Sequence, residues 1–290
     1  MTLLEIAHLR QTYGRGRSQV VAVDDLSLTI AEGETFGLVG ESGSGKTTTG
    51  RAVVGLHAPV SGSVRYRGRD LAGALRGRAG AAVRREVQMV FQDPYASLDP
   101  RMRVRDIVAE GLVIARDRRD LVGRVARTLD AVGLDASFAE RYPHELSGGQ
   151  RQRVGIARAL VVDPRFVVLD EPISALDVSV QAQVVNLLAD LKRERGLTYL
   201  FIAHDLAMVR HVSDRIGVMH RGRLVEVGPA AQVYGDPLHP YTRSLLSAVP
   251  LPDPDAERGR TRTTYDGSEA DGPLVEVSPG RFVRQDRPDI

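Results

Sequence analysis

The sequence predicts an α/β fold organised on a parallel core sheet, with an N-terminal antiparallel β subdomain, an inserted helical subdomain and a C-terminal extension. Three observations predict it. Phe36 to Val39 is a short apolar run that passes into the glycine-rich turn Gly40 to Thr48 and then into helix-like residues up to Gly55. Phe166 to Leu169 is a second apolar run of strand length, ending in the carboxylates Asp170 and Glu171. From Gly148 to Val227 such runs alternate with helical segments, the pattern of parallel strands joined by helices.

The elements follow in order. Ala22 to Ile30 alternates apolar and polar residues, as a half-buried strand should. Residues 2–90 read as antiparallel strands around the turn, with a Gly/Ala/Arg-rich stretch, Gly68 to Arg85, expected to be a flexible surface excursion. Arg103 to Arg116 and Asp120 to Val132 carry apolar residues at helical spacing, so residues 93–146 are expected to form the helical subdomain. We divide the chain into a main domain, residues 1–235, and an extension, residues 236–290, whose tail is expected to be flexible. No internal repeat is visible.

The turn fits G-x-x-x-x-G-K-[ST], with Gly40, Gly45, Lys46 and Thr47 at the fixed positions and Glu41, Ser42, Gly43, Ser44 and Thr48 completing the segment. Glycines let backbone N–H groups turn inward around phosphates, and the following helix N-terminus adds partial positive charge. Lys46 is placed to reach the β- and γ-phosphates of ATP, and Thr47 to offer its hydroxyl to Mg2+. An unliganded βα turn has the same outline. Yet Lys46 and Lys192 are the only lysines among 39 basic residues, and one of the two falls on the turn.

Asp170 and Glu171 emerge where a parallel strand ends, the edge of an open α/β sheet at which ligands sit. Asp170 is placed to hold Mg2+ through water, and Glu171 to orient or deprotonate the attacking water. Alone, the pair also fits a strand ending in two solvated acids. Leu146 to Gln150, Leu-Ser-Gly-Gly-Gln, precedes a helical apolar face, so Ser147, Gly148, Gly149 and Gln150 form another helix N-terminus suited to anions. Alone, it is equally a helix cap with Ser147 as the capping residue.

The ordered set resembles the ATP-binding cassette (ABC) ATPases, members of the P-loop NTPases. That resemblance implies that residues 146–150 are the signature loop, bound to ATP held by an opposing subunit in a head-to-tail dimer. It also implies that Tyr13 stacks on adenine, that Gln92 is the glutamine approaching Mg2+ and coupling to the membrane subunit, and that Ser174 to Asp177 is the loop crossing the dimer interface. The same resemblance makes His204 the switch histidine contacting the γ-phosphate and residues 1–235 an ABC nucleotide-binding domain. The catalytic set is then Glu171, His204, Gln92 and Lys46, and the metal set Thr47, Gln92 and Asp170. Individually, Tyr13 also fits a surface aromatic, Gln92 a loop residue and His204 a helix cap.

Composition agrees with a globular domain: 290 residues, 42% hydrophobic, formal net charge +2. No basic stripe with interleaved aromatics suggests nucleic acid. The absence of cysteine excludes disulfides, thiolate metal sites and iron–sulfur clusters. No apolar run has the length of a membrane helix and no secretory signal opens the chain, so it is expected at the cytoplasmic face of the membrane, held peripherally through partners.

Leu238 to Pro252 resembles the extension of the oligopeptide/dipeptide/nickel importer branch, as does Asp93 to Arg101, and Tyr95, Gly50 to Ala52 and Pro100-Arg101 lean to its F-type ATPase subunit. The resemblance implies a second ABC ATPase, homologous or identical, two transmembrane permease subunits and, indirectly, an extracytoplasmic solute-binding protein, with ATP hydrolysis driving uptake of peptides or a related solute. The tail departs from the branch. The cysteine block is replaced by polar residues Glu257 to Gly272, expected to be mobile, and Pro273 to Arg284 carries Arg281 where the branch has histidine. The alternatives are a soluble non-transport ABC ATPase and an ATP-binding subunit with a slow site.

Overall fold

The computed structural model describes residues 1–14, 16–71, 77–249, 263–265 and 272–285. The chain opens on two long antiparallel strands, β1 (Thr2–Tyr13) and β2 (Val20–Ala31). Val23, Leu26, Leu28 and Ile30 of β2 are buried. A register shift between Val23 and Leu26, with Asp25 at φ 54°, keeps these side chains on one face despite their uneven spacing. β3 (Thr35–Val39) leaves this layer and helix α1 (Lys46–Val53) follows it. β4 (Ser61–Tyr66) and β5 (Arg69–Asp70) then return, completing a sheet of order β2-β1-β4-β5.

The segment Gly77–Glu86 is a helix, α2, in place of the expected loop excursion; residues 72–76 lie outside the described residues. The glycines of this stretch read as loop, but its alanines and arginines are strong helix formers. Val83 on α2 packs against the buried cluster beneath the antiparallel sheet.

β6 (Val87–Val90), β7 (Phe166–Asp170), β8 (Thr198–Ala203), β9 (Arg215–His220) and β10 (Arg223–Pro229) build the second sheet. A C-terminal hairpin, β11 (Leu274–Ser278) and β12 (Arg281–Arg284), completes the order β11-β12-β10-β9-β3-β8-β7-β6. From β9 to β6 the neighbours are parallel. β3, β7 and β8 are buried along their whole length, which explains their largely apolar sequences. Alternate residues serve opposite faces. Phe36, Leu38, Phe166, Val168, Leu200 and Ile202 join the cluster shared with the antiparallel sheet and α1. Val39, Val167, Leu169, Tyr199 and Phe201 join the cluster on the other face.

On that side lie helices α3 (Pro94–Ser97), α4 (Val104–Ile114), α5 (Leu121–Ala131), α6 (Gly148–Leu160) and α7 (Val178–Arg195), of which α6 packs on β6 and α3, α4 and α5 pack on α6. Val104, Ile107, Val108 and Leu112 of α4 pack with Val125 and Leu129 of α5 and Val154 and Ile156 of α6. Asp117, just after α4, accepts hydrogen bonds from Arg119 and from Arg124 of α5, and an ion pair links it to Arg85 of α2. Short helices α8 (Leu206–Val209), α9 (Ala230–Gly235) and α10 (Pro240–Ser247) close the chain's core. Among the described residues, no helix is long and apolar enough to cross a membrane.

Part of the tail is built into the core sheet rather than hanging from it. Arg281 in β12 pairs with Glu226 of β10 at 3.3 Å, and both side chains are buried. The Glu226 carboxylate also accepts the backbone N–H groups of Leu238 and His239, ahead of α10. The arginine at 281 therefore balances a buried charge, and that pairing explains why the hairpin closes on β10. Of the polar stretch 257–272, only residues 263–265 and 272 are among those described.

Candidate active site

Strand order brings the sequence-distant segments together. At the carboxyl ends of β3, β8, β7 and β6, Val39 is level with Ala203, Asp170 with Ile202, and Val90 with Leu169. The residues that follow on the four neighbouring strands are therefore Gly40, His204, Glu171 and, two past Val90, Gln92.

The turn Gly40–Gly45 wraps the Lys46 ammonium. Nζ donates to the carbonyls of Gly40 at 2.7 Å and Glu41 at 2.8 Å and to Ser44 Oγ at 3.4 Å. Burial lowers the Lys46 pKa, opposed by the charges of Glu171, Asp170 and Glu41. Glycine is required at both ends of the turn by close backbone approach. A Cβ at Gly40 would lie 2.1 Å from the Met219 carbonyl oxygen, and one at Gly45 (φ 104°) 2.2 Å from that of Ala22. Ser42, Gly43 and Ser44 border a cavity between the turn and α10.

Thr47 Oγ1 donates to Asp170 Oδ1 at 2.9 Å. Burial pushes the Asp170 carboxyl above its ordinary range, and the Thr47 hydroxyl acts against that shift. Glu171 is held in left-handed backbone, φ 45°, with its N–H on the Ile202 carbonyl at 2.9 Å. A non-glycine residue adopts this conformation at a cost of about 1 kcal/mol, and such strain is found where a side chain must be aimed. Here Glu171 Oε2 accepts from Gln92 Nε2 at 2.9 Å and lies 3.6 Å from His204 Nδ1. The structure thus gathers Lys46, Thr47, Gln92, Asp170, Glu171 and His204 at one sheet edge. Tyr13 joins from β1: its hydroxyl donates to Thr48 Oγ1 at 3.4 Å, and its partly exposed ring meets His57 edge-on at 5.8 Å.

Ser147 and Gln150 of the segment Leu146–Gln150 bond to each other rather than to this cluster. Ser147 caps α6 in a reciprocal box: its Oγ accepts the Gln150 N–H at 3.3 Å, and Gln150 Oε1 accepts the Ser147 N–H at 2.9 Å. Gly148 faces Leu176, and a Cβ at Gly149 would press on Val180 at 2.6 Å. Among the described residues, no hydrogen bond or ion pair joins Ser147 or Gln150 to residues 40–48, Asp170 or Glu171. Asp177 starts α7 without a side-chain cap bond. The turn before it is tied to the cluster because Ser174 Oγ donates to the Glu171 carbonyl at 3.2 Å.

Two contributors escaped sequence reasoning. Gln181 on α7 donates to the carbonyls of Ile173 at 3.2 Å and Leu176 at 3.0 Å, fixing the 173–177 turn. Tyr241 on α10 accepts the Glu41 N–H on its hydroxyl at 3.1 Å. Gln181 carried no signal beyond its place one turn into a helix. Tyr241 stands in His239-Pro240-Tyr241, and nothing in that triplet points to a turn 200 positions upstream.

The ABC transporter family model matches residues 23–174, and the model for the oligopeptide/dipeptide transporter C-terminal region matches residues 225–272. The oligopeptide transport ATP-binding protein OppF of Bacillus subtilis is 58% identical, covering 97% of this chain and 95% of the relative. The dipeptide transport ATP-binding protein DppF of Lactococcus lactis is 54% identical, covering 97% and 93%. Among solved structures, the ATP-binding cassette MJ0796, dimeric and bound to ADP and Pi, aligns with TM-score 0.71 and 29% identity over 79% of this chain and 99% of that one. The turn at 40–48, the carboxylates ending β7 and the matched C-terminal region thus sit in one frame: the chain belongs to the ABC transporter family, as an ATP-binding and ATP-hydrolysing subunit of its oligopeptide/dipeptide branch.

Proposed function

We propose that this chain drives peptide import, with ATP held between its residues 40–48 and the signature loop of a second cassette ATPase. The observation that carries the reading is spatial. Lys46, Gln92, Glu171 and His204 converge at one sheet edge, whereas Ser147 and Gln150, at a helix N-terminus suited to an anion, bond to each other and, among the described residues, make no hydrogen bond or ion pair to that cluster. A loop suited to phosphate that is not tied to its own chain's phosphate site fits a role in the partner's site.

In this reading Lys46 leaves the carbonyls of Gly40 and Glu41 for the β- and γ-phosphates. Tyr13 supports the adenine, and Glu171 takes the proton of the attacking water while Gln92 and His204 orient it. His204 stabilises the γ-phosphate charge. Thr47 and Asp170 offer only oxygen donors and already meet at 2.9 Å, a set that suits Mg2+ shared with phosphate and water; Gln92 borders it. Bound there, Mg2+ supplies charge neutralisation on the phosphate oxygens. Asp177 contributes at the dimer interface.

The permease contact is read from a largely apolar groove of about 420 Å3. Leu56, Met89, Phe91 and Ile114 line it, and Phe91 immediately precedes Gln92. A helix seated there by a membrane subunit would sense the Gln92–Glu171 contact. Such docking would hold the chain peripherally at the cytoplasmic face of the membrane.

The test is purification of the tagged chain from gently solubilised native membranes. Recovery with two multi-spanning permeases and a second cassette ATPase is the expected result. Recovery only from the soluble fraction, without membrane proteins, would overturn it in favour of a non-transport ABC ATPase.

A further inference from the structure

We infer that Tyr241, in the C-terminal extension, is a positioning residue for the phosphate loop: its hydroxyl holds the Glu41 peptide in place while Lys46 changes partners. The inference rests on the reading of Gly40–Thr48 as the phosphate-binding turn. Its basis is the two-sided clamp on one peptide segment. The Glu41 N–H donates to Tyr241 at 3.1 Å, and the Glu41 carbonyl accepts from the Lys46 ammonium at 2.8 Å. Lys46 also holds the Gly40 carbonyl at 2.7 Å. When Lys46 turns to a phosphate, both carbonyls lose that bond, and the Tyr241 hydroxyl remains as a side-chain anchor at the start of the turn.

The Glu41 N–H points away from the Lys46 side and into the extension, so it serves the extension rather than the bound anion. Close packing does not back the turn here, because Glu41 to Ser44 border a cavity of about 290 Å3. Tyr241 itself is firmly set. It is 2% exposed and its ring lies 4.1 Å from that of His220, the residue after Met219, whose carbonyl abuts Gly40. Its backbone N–H donates to His239 Nδ1 at 3.1 Å, and the His239 N–H in turn donates to buried Glu226, paired with Arg281 of β12. Burial pushes the phenol up to about 12, so it stays a neutral hydroxyl at physiological pH. The extension is thus anchored to the core sheet at one end and to the phosphate loop at the other.

Equilibrium binding of ATP with Mg2+ to the full chain tests this, with Tyr241→Phe, Tyr241→Ala and Lys46→Ala compared alongside thermal unfolding of each nucleotide-free protein. Tyr241→Phe removes one hydroxyl and keeps the ring. The expected result is ATP affinity lower by roughly 3- to 10-fold, the worth of one hydrogen bond, with Tm near that of the parent. In the assembled complex, KM for ATP should rise while kcat changes little. If Tyr241→Phe restores native ATP affinity where Tyr241→Ala loses it, the ring acts by packing alone and the inference is overturned. Lys46→Ala separates the two readings. Its loss of ATP affinity beside a native Tyr241→Phe refutes only the role of Tyr241, whereas native affinity in Lys46→Ala refutes the phosphate-loop reading itself.

Discussion

Replacing Glu171 by Gln separates the chemistry from the binding. The two side chains have the same size, and the left-handed backbone at φ 45°, the N–H bond to Ile202 and the bond from Ser174 do not depend on the charge. An amide carbonyl oxygen at 171 can still accept from Gln92 Nε2, now 2.9 Å from Oε2. The ground state therefore loses about one charge-assisted hydrogen bond's advantage, on the order of 1 kcal/mol. What disappears is the proton acceptor beside His204. A positioned general base contributes roughly 10²- to 10⁴-fold, about 3–5 kcal/mol of barrier. ATP turnover in the assembled complex should fall by at least 10²-fold on that basis, while ATP affinity of the chain stays within about tenfold of the parent. Steady-state phosphate release and equilibrium nucleotide binding measure the two quantities. Turnover within about tenfold of the parent would remove Glu171 from the role of base.

Three further outcomes follow. If the 146–150 loop serves the partner's nucleotide, Ser147→Arg should leave ATP binding by the isolated chain intact yet cut turnover of the assembled complex by roughly tenfold or more; loss of binding in the isolated chain would contradict this. Arg281→Met leaves the carboxylate of Glu226 buried without its counter-charge and should cost about 3 kcal/mol or more. Denaturant unfolding measures that cost, and adding Glu226→Gln should restore part of it; an unchanged midpoint for the single variant would show that the tail hairpin is idle. Asp117 is held well below the ordinary carboxylate range by hydrogen bonds from Arg119 and Arg124. Its contribution to stability is present above the ordinary range and lost as pH falls through its depressed value, so Asp117→Asn should lower Tm at pH 7 and converge with the parent in strong acid. A pH-independent difference would show that charge is not the cause.

Much of the core was legible because each motif sits at the end of an unbroken apolar run. Phe36 to Val39 and Phe166 to Leu169 each read as buried strands, and the chemistry-bearing residues follow them. The alternation from Ala22 to Ile30 predicted β2, although the bulge at Asp25 was not visible in it. What escaped were contacts between distant segments. Glycines masked α2, whose alanines and arginines carry the helix. Arg281 looked like a departure from the branch, and only strand pairing shows it facing buried Glu226. Tyr241 and Gln181 act through bonds to backbone groups, and a backbone partner leaves no trace in spacing or composition.

A composite ATP site completed by a second cassette ATPase is tested most directly by the mass of the Glu171→Gln chain with its co-purified partner ATPase in solution. With saturating ATP and Mg2+, light scattering should report the closed pair, and exchange into ADP should return separate subunits. Single-subunit mass in saturating ATP, under conditions where nucleotide binding is verified, would contradict a composite site.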